Sequence, residues 1–188
     1  MNTMYVIALS VALLVLLGIV IGLAIVGSRR SKKLQQRFGP EYDRIVQETG
    51  SQKAAEVELE QRRKHVENLN IRPLTKIEHD RYVEDWKAVQ SRFVDDPSRA
   101  IKDADRLIIE VMLVRNYPMA NFEERAADIS VNYPELVSNY RAAHEIAQKN
   151  EQQTADTEEL RQAMVHYRSL FNELLETEQT VAEMEKSK

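Results

Sequence analysis

Hydrophobic positions along this chain fall into two regimes. From Met4 to Val26 they are nearly continuous, with Ser10 the only distinctly polar side chain. From Leu34 onward they recur every three or four positions, with charged side chains between them. The first pattern is that of a helix in an apolar surrounding, and the second that of amphipathic helices sharing a core. As a helix the first run extends about 34 Å, enough to cross a bilayer core of about 30 Å with modest tilt. Fifteen of its residues are Leu, Ile or Val, which favour insertion with no charge opposing them. Their β-branching does not argue for a strand, because an isolated span in lipid must satisfy its own backbone and only a helix does so.

The periodic regime predicts an all-α body of six or seven helices with short loops. Leu34, Phe38, Tyr42 and Ile45 keep helical spacing through Gly39-Pro40, where the helix kinks or restarts. Gly50 is placed to end that helix, and Ser51 to cap the next. Residues 52–67 are dense in charge and read as a polar helix, a stalk or one side of a bundle. Leu69 to Leu74 form a loop with apolar anchors. Thr75-Lys76-Ile77-Glu78 has capping-box form, and Tyr82, Trp86, Val89 and Phe93 then share one face. Asp95-Asp96-Pro97 ends that helix and starts another, whose stripe is Ile101, Ala104, Ile108 and Val111, with Leu107 and Met112 beside it. Lys149 to Thr157 reads as a polar hinge, and Leu160, Met164, Tyr167, Phe171 and Leu174 form the last strong stripe. The predicted organisation is a transmembrane anchor over 1–28, a basic collar and polar helical stalk over 29–74, a helical domain over 75–175 and a fraying acidic tail over 176–188.

A short internal match interrupts this plain pattern. Asn116-Tyr117-Pro118 and Asn132-Tyr133-Pro134 lie sixteen residues apart, and each is followed by Arg-Ala-Ala, at 125–127 and 141–143. Proline holds the preceding Tyr extended and pre-sets a first helical turn, so two short helices that start alike are expected. Two copies fall short of a repeat array, which needs about three.

Charge adds an orientation. Residues 1–27 carry no charged side chain; Arg29, Arg30, Lys32, Lys33 and Arg37 follow, and no acid precedes Glu41. Flanks rich in Lys and Arg stay on the cytoplasmic side, which predicts a single-pass protein of the inner or plasma membrane, N-terminus outside and body cytoplasmic. Residues 38–188 hold 21 basic and 30 acidic side chains, so an acidic body follows a basic collar. A cleaved secretory signal would need a basic start, a shorter apolar stretch and small residues before the cut. Met1–Met4 has no basic side chain, and Ala24-Ile25-Val26-Gly27-Ser28 matches such a cut poorly. Gly18 and Gly22 fit the G-x-x-x-G pairing pattern, which offers a homodimer through the span beside the ordinary frequency of glycine in membrane helices.

Composition removes whole classes of chemistry. Only Gly39 and Gly50 lie beyond the apolar run, so the glycine-rich loops of Rossmann and P-loop sites are excluded. Without cysteine there are no disulfides, thiolate zinc sites, Cys nucleophiles or iron–sulfur clusters. A net charge of −4 has the wrong sign for a general nucleic-acid binder. His65, His79, His144 and His166 form no H-E-x-x-H, and none has Glu three residues before it. His144 and His166 are expected at helix edges with satisfied nitrogens. Asp95-Asp96 reads as a cap and not a catalytic pair. The Tyr82, Trp86 and Phe93 stripe reads as core, with a ligand wall at Trp86 as the alternative. No catalytic residue, metal ligand or cofactor site is expected, and no enzyme.

Five stretches, RFGPEYDR (Arg37–Arg44), IRPL (Ile71–Leu74), RFVDDP (Arg92–Pro97), RAADIS (Arg125–Ser130) and MVHYRSLF (Met164–Phe171), resemble a family of uncharacterised bacterial proteins with one N-terminal span and a helical body. The resemblance runs from about 29 to 175. It implies the architecture and carries over no activity, cofactor or functional residue. The expected function is that of a membrane-anchored helical interaction or scaffold protein. Its partners would be the lipid bilayer and another protein, and not nucleic acid. The alternative is a small-molecule-sensing helical bundle tethered to the membrane.

Overall fold

The structure, a computed structural model, describes residues 13, 17, 18, 28, 29 and 31–175. The chain divides into two compact units, Met1–Arg37 and Phe38–Lys188. In the first, residues 31–37 are helical, and Arg29, Lys32, Lys33 and Arg37 are exposed. No helix among the described residues is long and apolar enough to cross a membrane. The expected span from Met4 to Val26 lies outside the described residues except at Leu13, Leu17 and Gly18, and so do Gly22, Arg30 and the tail 176–188.

Among the described residues the second unit holds seven helices: α1 (Pro40–Thr49), α2 (Gln52–Glu67), α3 (Lys76–Asp95), α4 (Pro97–Val114), α5 (Phe122–Asn132), α6 (Val137–Glu151) and α7 (Thr157–Leu174). Their ends follow the chemistry of their caps. Gly39 has φ 47°, a left-handed value that costs glycine little, and Pro40 supplies the first turn of α1. The Ser51 hydroxyl accepts from the Ala54 N–H to start α2. At α3 the Thr75 hydroxyl accepts from the Glu78 N–H at 3.3 Å, and Glu78 accepts from the Thr75 N–H at 2.9 Å. Asp96 caps α4 by accepting from the Arg99 N–H at 3.0 Å. Asp156 and Glu159 form a second capping box on α7.

The central bundle consists of α3 on α4, α4 on α7 and α7 on α6. Burial follows the stripes: Tyr82, Trp86 and Val89 face Ile101, Ala104, Ile108 and Val111, and Leu160, Met164, Tyr167, Phe171 and Leu174 complete the core. Trp86 is 5% exposed and stacks on Phe171 at 4.5 Å, so it is core and lines none of the clefts described below. Buried hydroxyls are satisfied: Tyr167 donates to Asp105 at 3.0 Å, and Tyr140 accepts from Arg125 at 3.3 Å. A second layer is the α1–α2 hairpin, with α2 lying on α5 and α1 on α6. Ala55, Leu59 and Val66 give α2 a narrow buried stripe, so this polar segment is a wall of the unit and not a projecting stalk.

Two local expectations need correction. The matched Tyr-Pro pairs do not start helices alike. Tyr117 and Tyr133 instead close the preceding helices, with N–H bonds to Met112 O at 2.9 Å and Ile129 O at 2.8 Å. Pro118 sits in a loop ahead of α5, because Asn121 offers the better cap and accepts from the Glu124 N–H at 3.0 Å. The polar hinge is also shorter than expected. α6 runs on to Glu151, and the Lys149–Glu159 ion pair at 2.6 Å spans the remaining turn.

Candidate functional site

The site grows from a buried acid at the start of α1. Glu41 is 3% exposed, and its carboxylate meets Arg44 of its own helix at 2.8 Å, Arg62 of α2 at 2.9 Å and Arg141 of α6 at 3.4 Å. Burial alone would raise its pKa. The hydrogen bond from Arg44 and the charges of Arg44, Arg141 and Arg62 outweigh burial and hold it below the usual carboxylate value. This knot fastens three helices and fixes Arg62 at one end of a cleft.

That cleft lies between α2 and α5 and encloses about 490 Å3. α2 contributes Gln61, Arg62 and His65, and α5 contributes Glu124, Ala127 and Asp128. Each set repeats at one helical turn, so each presents its polar groups along one face. The third side is apolar: Pro118, Met119 and Ala120 from the loop before α5. Arg125 donates to the Ala120 carbonyl at 2.5 Å and pins the end of that loop. Its start is pinned by the matched motifs, which are cross-wired. Asn132 donates to the Tyr117 hydroxyl at 3.4 Å, and buried Arg115 donates to the Tyr133 hydroxyl at 2.9 Å. Between these anchors Met119 is 86% exposed.

Asp128 is the unusual group. It is 5% exposed, and among the described residues no hydrogen bond reaches its carboxylate; its ionic contact is His65 Nε2 at 3.6 Å. Burial raises its pKa, the His65 charge opposes that, and Glu124 one turn away adds to it.

A second cleft, about 570 Å3, lies between α5 and α6. There His144 stacks on Phe122 with ring centroids 3.6 Å apart, and its Nε2 is 3.1 Å from Gln148. Its Nδ1 is buried without a hydrogen bond, as is Nε of Arg141. The expectation of satisfied nitrogens therefore fails at His144, where stacking takes precedence, and burial lowers its pKa. A third cleft, about 270 Å3 between α3 and α4, holds the buried Asp103, which pairs with Arg92 and Arg106.

His65 and His144 line two of these clefts, and His79 pairs with its neighbour Asp80 at 3.0 Å. Among the described residues no three His, Cys, Asp or Glu side chains converge as a metal site would require. Sequence reasoning missed Glu41 and Asp128. Asp128 carried a faint signal, an acid set beside Ala126 and Ile129 in an apolar stretch. Glu41 carried none, since an acid in a first turn is ordinary. Comparison with family models, with curated proteins and with solved structures finds no match.

Proposed function

We propose that this chain is a membrane-anchored helical interaction module whose body lies at the cytoplasmic surface. The observation that carries this reading is the uncharged run from Met4 to Val26 followed directly by Arg29, Arg30, Lys32, Lys33 and Arg37. The collar adds attraction to anionic headgroups, about 1 kcal/mol per basic residue near the surface. The α2 face that turns away from the core supports a protein partner, since Val57 on it is 49% exposed. Reporter fusions at the C-terminus test the topology. An enzyme active only in the cytoplasm is expected to work there, and one active only outside is expected to be silent. The reverse result removes the reading. Affinity capture of the full chain from membranes is expected to retain a specific partner, and to lose it with Val57→Glu.

A second reading is a small-molecule sensor on the same anchor. The α2–α5 cleft favours it, because its size suits a small ligand and a few polar groups converge on an apolar wall. Melting temperature against a metabolite library tests it. A ligand raising the melting temperature of the wild type but not of Met119→Glu is the expected result.

A further inference from the structure

We propose that the α2–α5 cleft binds a small organic ammonium ion, with its charge on Asp128 and its apolar body against Pro118 and Met119. The inference rests on the sensor reading and names its ligand class.

Arg62, the fixed cation of the cleft, spends its guanidinium on Glu41 at 2.9 Å and on Glu58. It therefore offers little to an incoming anion. Asp128 is in the opposite position. Its side chain is 7% exposed, it lines the cleft, and among the described residues it accepts no hydrogen bond. Its carboxylate opens on the cleft, so its acceptor capacity is left to whatever enters there. An ammonium group supplies both the charge and N–H donors. His65 supplies a weaker substitute from 3.6 Å, at a distance beyond a hydrogen bond and from a ring whose side chain is 56% exposed.

The rest of the cleft fits the same ligand. Glu124 is exposed one turn toward the N-terminus of α5, where it attracts cations to the opening. Pro118, Met119, Ala120 and Ala127 offer apolar contact with no charge. Met119 is unbranched and exposed, so it adapts to the shape of what it covers. A neutral ligand of the same shape would keep the apolar contacts and bring Asp128 no opposing charge. An anion would meet two carboxylates.

The test uses the full-length chain in zwitterionic nanodiscs, with methionine methyl groups carrying 13C. Met119 reports on the cleft, and Met112 and Met164 in the core serve as internal references. Benzylamine and benzyl alcohol are the probes, alike in shape and different in charge. Benzylamine is expected to shift Met119 saturably, with half-saturation about tenfold below that of the alcohol, the span of one charge-assisted hydrogen bond. Asp128→Asn is expected to remove that advantage, and Glu124→Gln to weaken binding less. Asp128→Asn replaces a buried charge by a neutral group of equal size, so its melting temperature at pH 7 is expected not to fall. Loss of binding is then not loss of fold. Saturation by amine and alcohol alike, unchanged in Asp128→Asn, overturns the ammonium assignment and leaves the cleft as a binding site. A Met119 signal that neither probe moves overturns both.

Discussion

Single side chains decide much of this fold because several charges are buried. Glu41 holds three arginines from three helices, and removing one partner of a buried ionic group costs about 3–5 kcal/mol. Glu41→Ala is therefore expected to lower unfolding free energy by about that much in urea titrations, well beyond the loss from an exposed pair such as Glu84–Lys87, at about 0–1 kcal/mol. Glu78 gives a pH-dependent case. Hydrogen bonds from Arg72 and from Thr75 hold its pKa down to about 2 in the fold. A carboxylate depressed below its unfolded value of about 4.3 stabilises the protein above that value, and the contribution fades as pH falls toward 2. Glu78→Gln is expected to lower the melting temperature at pH 7, and the difference is expected to shrink as pH falls through about 2. Asp128 has the opposite sign. Its pKa is raised by burial, so the ionised form opposes folding, and protonation as pH falls relieves this.

At the scale of helices, the sequence made legible those elements whose caps and stripes agree. Thr75 to Glu78, Asp96-Pro97 and the stripe from Leu160 to Leu174 each pair a local start signal with a buried face, and the structure repeats them. Pro118 misled because proline suits a helix start, yet Tyr117 is buried and the chain runs on outside any helix until Asn121 caps α5. The cleft was not legible, since it depends on the pairing of α2 with α5, two helices that no local pattern joins. α2 is the element whose role most needed the structure. Only Ala55, Leu59 and Val66 hold it in the core, so Leu59→Ala is expected to cost about 2–5 kcal/mol. Hydrogen exchange is expected to accelerate first in α1 and α2 in that variant, ahead of α4 and α7. Trp86 makes the central bundle observable. Phe171→Ala removes the ring stacked on it, which is expected to red-shift its fluorescence and to cost about 3–5 kcal/mol.

For the molecule as a whole, the arrangement of charge matters more than its sum. Five basic residues adjoin the apolar run, while 30 acidic and 21 basic side chains lie in 38–188. An anionic membrane would attract the first group and repel the second, and salt weakens both effects over a screening length of about 8–10 Å. Replacing Arg29, Arg30, Lys32 and Lys33 by Glu is expected to invert the reporter pattern, with the outside-active fusion gaining signal.

Arg115 sits where distant stretches of chain cross. Its guanidinium binds the carbonyls of Arg72 and Leu174 and the hydroxyl of Tyr133, while its own carbonyl accepts the Arg72 N–H. These four positions are remote in sequence and share one keystone. They are therefore expected to open as a single cooperative unit, whose amides exchange at a common rate. Arg115→Met would split that rate into several, so fraying at the end of α7 would no longer be felt beside the loop that carries Met119.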